Sequence, residues 1–230
     1  MPSALPSALS IAGSDSGAGA GIQADLLTFA AQGVFGTTAI TCLTAQTPRG
    51  VSGVLPVPPD FVLEQCRQVA GHFHPKALKT GMLLEVGIVE AVESVKKRLI
   101  PQAALVTPNL DEASILLGRK ALGGVGAEAE AVELAKTYGV PFLLKGGHAE
   151  GDALIDVLAW PDGRTFVLKA RRAPGVDTHG SGCTLSAAIT AQMALGKGLK
   201  EAVAAAHQYL QDGIHKSIEV SGLKVIRHGG

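Results

Sequence analysis

The chain has 230 residues, 47% of them hydrophobic. A chain of that size buries roughly 70% of its unfolded surface and needs no disulfide or metal to fold. Twenty Lys and Arg against twenty Asp and Glu leave no net charge, which excludes the basic footprint of a nucleic-acid binder or of a protein held on an anionic membrane. Three widely spaced cysteines, Cys42, Cys66 and Cys183, do not make a disulfide framework and point to a reducing compartment, so the cytoplasm is the expected location. No Lys or Arg precedes Arg49, so neither the charged start of a signal peptide nor an Arg-rich transit peptide is expected. Residues 26–48 are uncharged, but their threonines, glutamines and glycines argue against a membrane span.

Taken in chain order, the short apolar runs "ALSIAG", "TTAITCLTAQ", "KALKTGM", "AALVTPN" and "PFLLKGG" read as buried strands, and longer periodic segments separate most of them. That alternation predicts βαβ units in one α/β domain. In "PPDFVLEQCRQVAGHF" the prolines and Asp60 suit a helix start, and Val62, Cys66, Val69 and Ala70 fall on one face, which predicts Cys66 in the core. Pro161-Asp162-Gly163 sits between two extended runs and predicts a hairpin. From Gly175 to about Val220 the chain reads as mainly helical. His72 and His74 in "HFH" read as a surface turn, since a metal site needs a third ligand nearby.

Ligands bind such a sheet at the ends of its strands, and several strands here run into polar or glycine-rich sequence. In "AGSDSGAGAGIQADLLTF", Gly19, Gly21 and Ala24 match the dinucleotide pattern, but the acid expected about twenty residues on is missing, because no Asp or Glu lies between Asp25 and Asp60. The alternative is a tight turn that leaves Asp25 without an evident task. In "TPNLDEASILLG", Asn109 and Glu112 share a face, and spacing alone favours a helix cap. In "LLKGGH", Lys145 ends a strand without the P-loop pattern. Finally, "DTHGSGCTLSAAI" puts Gly180, Ser181, Gly182 and Cys183 where a helix should begin. Successive unpaired amides there bind negative charge and favour a thiolate, which makes Cys183 a candidate base or nucleophile. His179 is a conceivable partner for that thiol, as in a thiol hydrolase, although both residues lie on one tight loop.

In order and wording, "AGSDSGAGAGIQAD", "TAQTPRGV", "KTGM", "TPNLDEA", "LLKGGH" and "DTHGSGCTLSAAI" resemble the hydroxymethylpyrimidine and phosphomethylpyrimidine kinases of thiamine biosynthesis, within the ribokinase-like superfamily. The resemblance runs from Leu9 to about Leu210, and the cysteine of the last motif stands where the superfamily's sugar kinases carry an aspartate. It implies a three-layer α/β/α ribokinase-like fold, with a mostly parallel central sheet flanked by helices, as a single kinase domain over residues 1–230. It also implies two phosphoryl transfers from Mg-ATP, first to the hydroxymethyl oxygen and then to the monophosphate. By the same resemblance Cys183 is the catalytic base and Gly180, Ser181 and Gly182 share the anion hole with it. Ala20, Asp25, Gln46 and Met82 surround the pyrimidine. Asn109, Lys145 and Thr178 serve the nucleotide, and Glu112 serves Mg2+. The implied partners are the small-molecule pyrimidine and ATP, with a homodimer as the assembly and neither nucleic acid nor membrane involved. Pyridoxal kinase is the alternative activity, because some relatives with this cysteine motif accept pyridoxal.

The chain departs from the family in one place. Between Arg98 and "LIPQAALVTPNL", relatives carry a Val-Asp-Pro-Val-Met strand, a Lys-Ser-Gly loop and more helix, and none of these is present. The missing Asp serves the metal and phosphate site, so a non-catalytic ligand binder is a third reading. The closing stretch "VSGLKVIRHGG" also differs from the family's.

Overall fold

A computed structural model describes residues 5–83, 95–146 and 153–229. Its contacts fall into two units, one comprising Met1–Leu84 with Ala173–Gly230 and the other Glu85–Arg172.

The first unit is organised by strand β1 (Ser7–Ala12), whose parallel neighbours are β2 (Phe35–Ile40) and β5 (Ala77–Thr80). Helix α1 (Gly21–Ala31) crosses from β1 to β2, the βαβ unit that the apolar runs predict. Helices α5 (Ser181–Ala194) and α6 (Leu199–His215) pack on each other, and α5 also packs on α1, β1 and β5. Alanines make that approach close: Ala187 and Ala191 are fully buried against Ala8 and Phe29. A short antiparallel hairpin, β9 (Ile218–Val220) with β10 (Leu223–Val225), follows α6.

Two expectations need correction here. "TTAITCLTAQ" is not one strand but two, because the chain turns at Thr41. The Thr41 amide donates to Ala12 and its hydroxyl to Met82, after which β3 (Cys42–Thr47) leaves the parallel sheet and pairs antiparallel with β4 (Gly50–Pro56). Cys66 is half-buried rather than core: α2 (Pro59–Phe73) packs on β2 and β1 yet buries none of its residues fully. Gln65 binds it there, its side-chain carbonyl accepting from the Ile40 amide and its amide donating to the Ile40 carbonyl.

Beneath the C-terminal end of β1 lies a buried ion pair. Lys79 Nζ sits 2.8 and 2.9 Å from the two carboxylate oxygens of Asp25, and Ser10 Oγ donates to the same carboxylate at 2.5 Å. Ser10 and Lys79 are register partners on adjacent strands and so point to the same face, where α1 presents Asp25. Asp25 therefore has a structural task. Burial pushes its carboxyl above the usual range, against the lowering influence of Lys79 and Ser10.

In the second unit the antiparallel strands β6 (Phe142–Leu144), β7 (Ala153–Ala159) and β8 (Thr165–Arg171) pack with α3 (Leu110–Leu117) and α4 (Ala127–Tyr138) around Leu134, Phe142, Leu144 and Val157. The predicted hairpin turn is present. Asp162 accepts from the Arg164 amide and side chain, and Gly163 takes the left-handed conformation at φ 88°. The "AALV" run makes only a parallel bridge, Val106 to Phe142, and no strand.

Glu130 of α4 organises the loop after α3, its carboxylate accepting from the amides of Leu122 and Gly123 and from Arg119. Burial raises the Glu130 carboxyl, but those hydrogen bonds prevail and hold it below the usual range. A depressed folded-state value gives stability that is present above the unfolded value of about 4.3 and lost as pH falls through the folded one. Glu130→Gln is therefore expected to cost about 1–3 kcal/mol at pH 7 and less in acid. Urea unfolding at pH 7 and pH 4 measures both.

Candidate active site

The first unit gathers most of the predicted site residues where β1, β3 and β5 end. After β1 the loop from Gly13 to Ala20 folds around Asp15, which is only 3% exposed. One carboxylate oxygen accepts from the Gly17 amide in an Asx turn, and the other accepts from the Ala20 amide at 2.8 Å. Gly21, at φ 60°, opens α1 so close to the preceding turn that a Cβ would lie 2.6 Å from the Gly13 carbonyl oxygen.

Gln46 reaches the same place from β3. The β3–β4 register slips between Ala45 and Gln46, a bulge of the kind that re-aims a side chain. Ser16 Oγ locks it by donating to the Gln46 carbonyl and accepting from the Gln46 amide, both at 2.7 Å. A cavity of about 510 Å³ opens beside it, lined by Ser16, Gln46, Thr47, Arg49 and Ser52. Met82, half exposed, lies just beyond β5, where its carbonyl accepts from the Gly13 amide at 3.1 Å. Asp25 sits underneath, fully buried and closed off by Lys79 and Ser10.

Helix α5 brings the third component. Gly180 caps it in the left-handed conformation at φ 79°, and a Cβ there would overlap the Gly19 carbonyl oxygen. This close approach fixes the loop before α5 against the loop before α1. The run of four open amides needs correction: the Ser181 amide donates to the Thr178 carbonyl at 3.0 Å. The first-turn amides of Gly182 and Cys183 have no backbone partner among the described residues, and no acidic side chain sits in that turn to neutralise them. Cys183 is the third helical residue and half-buried, while Thr178 is exposed. Gly180→Ala is expected to force the two loops apart, lowering kcat/KM by at least about tenfold with roughly 1–3 kcal/mol of lost stability. Steady-state kinetics beside thermal melts would check it.

His179 does not serve as a thiol partner. Its Nε2 lies 3.1 Å from Asp15 and 3.0 Å from the side-chain amide of Gln46. The sequence offers His179 only as a thiol partner and gives Asp15 no site role, although the Asp-Ser-Gly of an Asx turn is a local signal for Asp15.

In the second unit, Asn109 and Glu112 form a reciprocal capping box on α3, each side chain accepting from the other's backbone amide at 2.8 Å. Lys145 follows β6, its amide donating to the Pro108 carbonyl beside Asn109. His72 and His74 are exposed, and no group of three His, Cys, Asp or Glu that could hold a metal occurs among the described residues.

Known proteins share this architecture. Bacillus subtilis pyridoxal kinase, solved as an ADP complex, aligns with a TM-score of 0.86 at 33% identity over 98% of each chain. The phosphomethylpyrimidine kinase of Clostridium difficile 630 aligns with a TM-score of 0.77 at 32% identity, over 91% of this chain and 99% of that one. The protein is thus a kinase of the ribokinase-like α/β class. The hydroxymethylpyrimidine/phosphomethylpyrimidine kinase of Rhizobium meliloti strain 1021 is 40% identical over 242 residues, 90% of both chains. A family model for phosphomethylpyrimidine kinase matches residues 15–95 and 89–226, and the chain belongs to that family. The two matched stretches overlap at residues 89–95, just before Arg98.

Proposed function

We propose that the protein uses ATP to phosphorylate hydroxymethylpyrimidine and then its monophosphate, in thiamine biosynthesis, with residues 1–230 working as one kinase domain. The observation that carries this reading is the start of α5: two amides without a backbone partner among the described residues and the Cys183 thiol, next to a loop that also fixes Ala20 and Gln46. In the first transfer Cys183 takes the proton of the substrate hydroxyl. The amides of Gly182 and Cys183 stabilise charge on the transferred group, with Gly180 and Ser181 shaping the turn. Ala20, Gln46 and Met82 hold the ring, and Asp25 supports them from below.

Phosphoryl transfer depends on positioning and charge neutralisation more than on covalent chemistry. Lys145, Asn109 and Thr178 hold the nucleotide. Bound Mg2+ commonly uses one or two carboxylates together with waters and phosphate oxygens. Glu112 fits that donor set, since Asn109 engages only its Oε2 and leaves Oε1 outside the capping box. When bound, the ion would neutralise phosphate charge. The reading includes a cytoplasmic location, which suits three free cysteines, and a homodimer. Among the described residues no helix is long and apolar enough to cross a membrane.

The similarity to a pyridoxal kinase favours pyridoxal as a second substrate. Incubation with Mg-ATP and an equal mixture of the two alcohols, with products resolved by mass spectrometry, separates the readings. Phosphorylated pyrimidine in excess is expected. Pyridoxal phosphate as the main product would transfer the assignment, and no product from a folded protein would leave a non-catalytic binder.

A further inference from the structure

His179 Nε2 faces two groups, the Asp15 carboxylate at 3.1 Å and the Gln46 side-chain amide at 3.0 Å. A carboxylate only accepts hydrogen bonds, so the ring nitrogen beside it must carry the proton. An Nε2–H has no lone pair left for an N–H of Gln46, so the amide end turned to the ring has to be the oxygen. The two ends of an amide have the same shape, and this network decides between them, setting Oε1 towards His179. The NH2 group is then turned away from His179, on a residue that lines the cavity. Asp15 has little freedom to yield, being nearly fully buried and also accepting from Gly17 and Ala20. The Gln46 backbone is fixed just as firmly by Ser16.

We propose that Asp15, acting through the Nε2–H of His179, orients the Gln46 amide so that its NH2 donates to a ring nitrogen of the substrate. Asp15 and His179 are thus positioning residues that select an aromatic ring with an acceptor nitrogen at that point. The substrate end of the inference rests on the reading above that Gln46 meets the pyrimidine; the proton on His179 does not. The relay also ties recognition to the catalytic turn, because His179 directly precedes Gly180. An occupied Gln46 and a correctly placed α5 N-terminus then share one set of hydrogen bonds.

Two measurements test this on the full chain. Nitrogen-15 NMR of histidine-labelled protein, with the His179 signals assigned by their loss in His179→Gln, is expected to show a proton on Nε2. An unprotonated Nε2 overturns the relay whatever the protein phosphorylates. The second compares hydroxymethylpyrimidine with two analogues in which one or the other ring nitrogen is replaced by C–H. The wild type is expected to prefer the parent over one analogue by about tenfold in kcat/KM, the worth of one hydrogen bond. His179→Phe frees the amide to rotate, so that preference should shrink to about twofold, mostly through KM. A preference unchanged in His179→Phe, or none in the wild type, overturns the proposal. If no pyrimidine is turned over, the functional reading fails while the NMR result still decides the relay.

Discussion

Cys183→Ala is expected to lower kcat for phosphorylation of hydroxymethylpyrimidine by about 10²–10⁴-fold, the usual contribution of a general base in the role proposed for Cys183. The substitution removes one half-buried sulfur at the third position of α5 and leaves the Gly180 cap and the helix intact, so the protein stays folded. The two transfers should respond unequally. A hydroxyl must lose its proton as it attacks, whereas a phosphomonoester, with a second pKa of about 6, already offers an unprotonated oxygen near neutral pH. The second transfer is therefore expected to lose much less, within about tenfold. Separate kinetics with the alcohol and with its monophosphate measure the difference. Equal losses in both steps would mean that Cys183 shapes the anion hole rather than moving a proton.

Lys79→Met costs about 3–5 kcal/mol, because it leaves the Asp25 carboxylate buried without its counter-charge. Asp25 is fully buried and Lys79 is 6% exposed, so little water can take the ammonium's place. For a chain of this length the loss corresponds to a melting temperature roughly 10 °C lower. The pH dependence has a definite sign. With Lys79 gone, only the Ser10 hydrogen bond still opposes burial at Asp25, and its carboxyl rises further. A carboxyl raised in the folded state favours folding at low pH and opposes it as pH rises, so the deficit should grow from pH 5 to pH 8. Adding Asp25→Asn to Lys79→Met removes the stranded charge and should recover part of the loss. Calorimetric melts across this pH range show both effects.

Local signals made much of this molecule legible in its sequence. The apolar runs of β1, β5 and β6 and the Pro-Asp-Gly turn between β7 and β8 each carry their own pattern. The break at Thr41 does not, since Ile40, Thr41 and Cys42 continue a strand-forming sequence without Gly or Pro, and the turn arises from hydrogen bonds to Ala12 and Met82. Cys66 lies on the predicted face of α2, but periodicity shows which side faces inward and not how deeply it is covered. The glycine-rich start of α5 could be read from spacing. Its attachment to Asp15 could not, because the pair is 164 residues apart in sequence. Asn109 and Glu112 satisfy the local capping rule and also match a family motif, so sequence spacing supports both tasks.

A quenched-flow time course with hydroxymethylpyrimidine and Mg-ATP, resolved by mass, follows both phosphoryl transfers directly. A monophosphate is expected to rise first and then to be consumed to the diphosphate. Binding of pyrimidine and nucleotide with neither product formed would contradict the proposed function.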